Sequence, residues 1–156
     1  MEKEKRFRHS AGFGKRIEYN IIAEMLKEGL DIYTPLVDDN GIDAVVRKAD
    51  GSFAEIQIKA RSKDVTGGNE ALFAAIRHQK RPNYWFIFYS ESLDKKWILS
   101  SEEFIDKSYM NKKGKNEGSR NIKFSGKKNG LPYALPKYQQ FEAKNYNRIL
   151  EAPPSK

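Results

Sequence analysis

The segment GIDAVVRKADGSFAEIQIKAR, residues 41–61, holds the side chains whose types and spacing best suit chemistry. Ala54, Ile56, Ile58 and Ala60 alternate with Glu55, Gln57 and Lys59, so period two puts the apolar set on one strand face and the polar set on the other. Upstream, Ile42, Ala44 and Val46 alternate with Asp43, Val45 and Arg47. The two apolar sets meet across a hairpin only when opposed residue numbers sum to an even value. A two-residue Asp50-Gly51 turn fails this condition. A three-residue loop, Ala49-Asp50-Gly51 with Gly51 left-handed, satisfies it. Lys48 then faces Ser52, Ile42 faces Ile58, and Asp43 lies across from Gln57, with Glu55 and Lys59 flanking. Carboxylate and amide oxygens gathered in this way suit Mg²⁺, a hard cation. The competing reading is an ordinary solvated sheet face, and the hairpin alone does not separate the two.

Elements around the hairpin must position these groups. Residues 14–28 read as a helix ended by Gly29, with Ile17, Ile21, Ile22, Met25 and Leu26 at helical spacing. Glu18 falls inside that stripe, where a carboxylate needs a partner or a metal. Residues 42–48 and 53–60 form the two strands. EALFAAIRHQK reads as a short helix stopped by Pro82, with His78 a cation in its last turn. YWFIFYS (84–90) and KWILS (96–100) read as strands, the first a buried aromatic one. Ser100 and Glu103 form a capping box for a helix to about Ser108. RNIKFSG and residues 133–135 are later strands. QQFEAKNYNRILEA is a closing helix anchored by Phe141, Tyr146, Ile149 and Leu150. GFGK (12–15) lacks the spacing of a phosphate loop and reads as a turn into the first helix. His9 and His78 share no metal-ligand spacing.

The chain of 156 residues has the length of one domain, with residues 1–10 and 111–120 as flexible segments. It contains no cysteine, which excludes disulfides and thiolate metal sites and suits a reducing, cytoplasmic setting. MEKEKRFRHS has no apolar run behind its charges, so no signal peptide is read there. No stretch is apolar enough to span a membrane, and nothing points to a nucleotide cofactor. The net charge is +8 and uneven, with nine Lys or Arg in residues 107–137 against the single acid Glu117. Such clustering fits a polyanion or a solubilising loop. The candidate phosphate contacts are Lys15, Arg16, Arg61, Lys112, Lys113, Lys115, Lys127 and Lys128, with Tyr133 and Tyr138 beside them as candidates for base contact.

The order of helix acid Glu18, then GID at 41–43, then QIK at 57–59 resembles the PD-(D/E)XK nuclease superfamily. The Gln-x-Lys variant is similar to Mrr-type restriction enzymes and small bacterial predicted nucleases. The specific part covers residues 14–61. The resemblance implies an α/β, restriction-endonuclease-like fold: a central mixed β-sheet flanked by helices, with an N-terminal and a C-terminal helix. It implies a Mg²⁺-dependent endonuclease acting on DNA, with Mn²⁺ able to substitute. Asp43 becomes the principal metal-binding acid and Gln57 the second ligand, with the Ile58 carbonyl and Glu18 as further ligands. Lys59 becomes the residue that orients or deprotonates the attacking water. The neutral Gln57 departs from the acid usual at that position and favours one strong metal site, with Glu55 able to supply the missing charge. A catalytically inactive nucleic-acid-binding module of the same fold stays open, as do an accessory subunit with an acidic protein partner and a homodimer.

Overall fold

The computed structural model describes residues 10–38 and 40–151. Most of the expected flexible segment 1–10, with His9, lies outside them. Helix α1 (Ser10–Lys27) starts earlier than its apolar spacing suggests and buries Phe13, Ile21, Ile22 and Met25. It ends through Gly29 at φ +92°, with Leu30 N–H donating to the Met25 carbonyl and Gly29 N–H to that of Leu26. These paired bonds satisfy carbonyls the last turn would leave open, and Leu30 is buried behind them. Leu26 is exposed, so the apolar stripe is narrower than the sequence implies.

Strands β1 (Asp31–Tyr33), β2 (Ala44–Arg47), β3 (Phe53–Arg61), β4 (Leu72–Ile76), β5 (Tyr84–Ser90) and β6 (Lys95–Ser100) come next. A sheet of order β1-β2-β3-β5-β6 forms the centre, mixed because β3 and β5 run parallel while its other pairs are antiparallel. The expected hairpin register is the one observed, with Ala44 opposite Ile56, Lys48 N–H donating to the Ser52 carbonyl, and Gly51 at φ +86°. One face, with Ala44, Val46, Ala54, Ile56 and Ile58, packs on α1 and on Tyr146 and Ile149 of the C-terminal segment.

The opposite face carries Tyr84, Phe86, Phe88, Trp97 and Leu99. It is covered by β4, by helix α2 (Ser101–Lys107), and by Ile122 of β8 (Arg120–Lys123), which pairs with β4 and with β7 (Tyr109–Met110). Ser100 caps α2 in the box read from the sequence. A hairpin of β9 (Ser125–Lys128) and β10 (Leu131–Ala134) turns through Asn129 and Gly130, both at positive φ. The architecture is a mixed α/β sheet flanked by helices, with helices at both ends of the described chain.

Two expected helices are corrected. EALFAAIRHQK contributes a strand, not a helix, and His78 is therefore no helix-end cation. Phe73 and Ile76 face the same core because the strand is irregular between them and Ala75 takes φ +58°. Two buried residues three apart thus imitate helical spacing. The closing segment divides into a 3-10 turn, Pro136–Phe141, and a four-residue helix, α3 (Asn147–Leu150). The bridge between Trp97 and Glu142 separates them. Leu150 is exposed rather than an anchor. The turn at 111–120 is closed by Asn111 N–H to the Ser119 carbonyl and Gly118 N–H to that of Asn111.

Candidate active site at the end of β2

The Asp43 and Ala44 backbones both oppose Ile56, because Ala44 is its register partner and Asp43 N–H donates to its carbonyl at 2.8 Å. Two residues facing one is a β-bulge, which re-aims the side chain it carries. The bulge explains two departures from the expected hairpin. Ile42 does not meet Ile58 but packs among the aromatics of the opposite face. Asp43 does not lie flat across from Gln57. Its Oδ2 instead accepts the Ile58 N–H at 2.7 Å. Alternate residues of a strand present their backbone groups to the same edge, so Ile56 and Ile58 both face the β2 side. Past Asp43, where β2 has ended, the Ile58 carbonyl faces that same edge.

Asp43 is an acid under electrostatic pressure. Burial pushes its carboxyl up, the Ile58 N–H works against that, and the charges of Glu18 and Asp38 add to the rise, leaving it at about 6. Glu18 does approach from α1, mostly buried and paired with Lys15 Nζ at 3.3 Å. That contact, followed by the nearby charges including Asp43, raises the Lys15 ammonium.

Gln57 occupies the opposite face of β3 from Ile56 and Ile58, the face shared with Tyr84 and Phe86. The Tyr84 hydroxyl lies 2.9 Å from Gln57 Oε1 and 2.5 Å from the Gly41 carbonyl. Burial holds this phenol well above its ordinary value; Arg81 opposes that, and Asp43 is the next contributor upward. Asp43 is thus within electrostatic reach of Glu18 and Lys15 on α1 and of the Tyr84 hydroxyl that touches Gln57.

Lys59 follows two residues on from Gln57 and lines a depression of about 210 Å³ together with Arg61 and with Leu72 and Ala74 of β4. Arg61 Nε is buried there without a partner among the described residues. Glu55, proposed from the sequence to supply charge beside Gln57, is paired with Arg81 Nη2 at 2.9 Å.

Of the candidate phosphate contacts, Lys112, Lys113, Lys115, Lys127 and Lys128 are exposed, as are Lys15 and Arg16. Tyr133 is partly exposed, but Tyr138 is buried against Phe124 and is no candidate for base contact. His78 is held between aromatic rings with Nε2 2.7 Å from Ser101 Oγ. Burial, with Arg81 and Arg120 nearby, lowers it to about 4, so it is neutral at pH 7.

Sequence reasoning missed Tyr84, Arg81 and Asp38. Tyr84 looked like one more core aromatic, although a tyrosine opening an apolar run brings a hydroxyl that needs a partner.

Among the described residues, no three His, Asp or Glu side chains form a cage for a metal ion. The oxygens on hand are of mixed type: the Asp43 and Glu18 carboxylates, the Gln57 amide and the Ile58 carbonyl. A hard divalent cation accepts that mixture. Such a cation would offset the burial of the Asp43 carboxylate and the charges of Glu18 and Asp38.

No protein-family model matches this chain, and no curated protein matches it in sequence. A solved structure does match its fold. The chain is similar to a bacterial homing endonuclease, I-Ssp6803I, at 18% sequence identity and a TM-score of 0.60, covering 86% of this chain and 89% of that one. At that identity the likeness is one of fold.

Proposed function

We propose that the protein is a Mg²⁺-dependent endonuclease acting on DNA, of the PD-(D/E)XK type with Gln in place of the second acid. The observation that carries this reading is the strained Asp43 carboxylate. It sits at the start of β2, accepts the Ile58 N–H of β3, the strand that also carries Gln57 and Lys59, and is pushed up by burial and by the charges of Glu18 and Asp38. A binding surface for phosphates gains nothing from crowded acids, whereas a cation site needs them. The likeness in fold to a homing endonuclease supports the same reading.

In this reading Asp43, the Ile58 carbonyl, Gln57 and Glu18 hold one Mg²⁺, which when bound supplies charge against the phosphate and lowers the pKa of bound water. Lys59 orients the attacking water and offsets charge developing on the phosphate oxygens. Water adds across one P–O ester bond, giving a phosphomonoester and a hydroxyl. Lys15 and Arg16 on α1, Arg61, and the lysines of the 111–120 turn and β9 hold the flanking phosphates.

A second reading is a non-catalytic nucleic-acid-binding module, favoured by the neutral Gln57 and the lack of a three-acid cage among the described residues. Supercoiled plasmid with Mg²⁺ separates them. Nicked or linear product from wild type, absent with EDTA and with Asp43→Ala, supports the nuclease. Retarded but uncut plasmid under every divalent cation supports the binding module.

A further inference from the structure

The Tyr84 hydroxyl oxygen lies 2.5 Å from the Gly41 carbonyl oxygen and 2.9 Å from one end of the Gln57 amide. A phenol has a single proton. Two oxygens at 2.5 Å are held together only by a proton between them, and a carbonyl has none to give. The Tyr84 proton is therefore committed to Gly41, and the phenol oxygen offers Gln57 only lone pairs. What sits against those lone pairs is an N–H, because the two ends of a carboxamide are told apart by their hydrogen bonds alone.

We infer that Tyr84 is a positioning residue, donating to the Gly41 carbonyl and accepting from Gln57 Nε2, so that Gln57 Oε1 turns toward the Gly41–Asp43 turn as a cation ligand. The other end of the amide faces that turn, 3.2 Å from where a Cβ would stand on Gly41. Tyr84 is itself fixed. Arg81 stacks on its ring at 4.6 Å while holding Glu55 and the Asn40 carbonyl. The arrangement also gives Gln at position 57 a reason. A carboxylate there would set its lone pairs against those of the phenol, whereas an amide offers a donor to Tyr84 and an acceptor to the turn.

The ligand role rests on the proposed Mg²⁺ site; the amide orientation does not. Nuclear magnetic resonance of the Gln57 side chain, in wild type and Tyr84→Phe, tests both. In wild type the Gln57 amide protons are expected to exchange slowly and show contacts to the Tyr84 ring. In Tyr84→Phe the protection is lost. In a Mg²⁺ titration the Asp43 and Gln57 carbonyl carbons move together in wild type, and Tyr84→Phe weakens the binding by about threefold to tenfold. Fast-exchanging Gln57 amide protons in wild type, which requires no variant, overturn the orientation. Unchanged Mg²⁺ affinity in Tyr84→Phe overturns the positioning role. Mg²⁺ that moves neither carbon in wild type removes the cation site and the ligand role, while the amide signals still decide the orientation.

Discussion

Replacing Asp43 with asparagine should make the protein more stable at neutral pH while removing its function. The folded protein holds the Asp43 proton up to about pH 6, whereas an unfolded chain releases it near pH ~4. Between those values the folded state binds more protons, so stability falls as pH rises, and the loss is complete above about pH 6. A rise of about two pKa units corresponds to a ceiling of ~3 kcal/mol. Asp43 is only partly buried, and solvent screening reduces that to roughly 1–2 kcal/mol. The Asp43→Asn side chain has no charge to bury and escapes the repulsion from Glu18 and Asp38, and its amide oxygen can still accept the Ile58 N–H. For a chain of this length the gain corresponds to roughly 3–6 °C in Tm. Thermal unfolding in EDTA from pH 4 to 8 measures it. The variant should melt above wild type at pH 7, with the gap closing toward pH 4. Added Mg²⁺ should raise wild type and leave Asp43→Asn unmoved. Melting of Asp43→Asn below wild type at pH 7 would refute the idea that Asp43 is held under electrostatic strain.

Neutralising Lys112, Lys113, Lys115, Lys127 and Lys128 together should weaken DNA binding and flatten the slope of log affinity against log salt by about one unit per lost phosphate contact, read from fluorescence anisotropy. An unchanged slope would make this surface solubilising only. Gly41→Ala and Gly51→Ala form a matched pair, since both glycines have positive φ but only Gly41 has Gln57 and Tyr84 within 4 Å of the place an added methyl would occupy. Each should cost about 1 kcal/mol in denaturant unfolding, and only Gly41→Ala should also weaken Mg²⁺ binding.

What could be read in the sequence was whatever lay within one hairpin or one helix turn. Alternation along residues 53–60, with the burial it implies, determined the register through to Lys48 opposite Ser52. Ser100 and Glu103 announced their capping box. The failures share a cause: they depend on pairings between distant segments or on bulges. Phe73 and Ile76 imitate a helix because a strand irregularity, supported by β8 some fifty residues away, puts both in the core. Ile42 changes face because Asp43 bulges at Ile56, and the same bulge turns the Asp43 carboxylate to the Ile58 N–H. Glu55 looked free in its own strand, but Arg81 from the segment before β5 takes its carboxylate. Tyr84 reaches Gln57 only because β5 runs parallel to β3, a pairing with no local signature. The site was thus legible as a set of residues on one hairpin, and its second layer was not.

Lys59 is where the nuclease assignment is most exposed, because a mere phosphate binder and a catalyst use a lysine differently. Single-turnover cleavage of a duplex with Mg²⁺, set beside affinity for the same duplex in Ca²⁺, distinguishes the two uses. The expected result is measurable cutting by wild type, with Lys59→Ala slowed by at least about a hundredfold at nearly unchanged affinity. Lys59→Ala cutting at the wild-type rate, or wild type binding the duplex without cutting it in any divalent cation, would contradict that assignment.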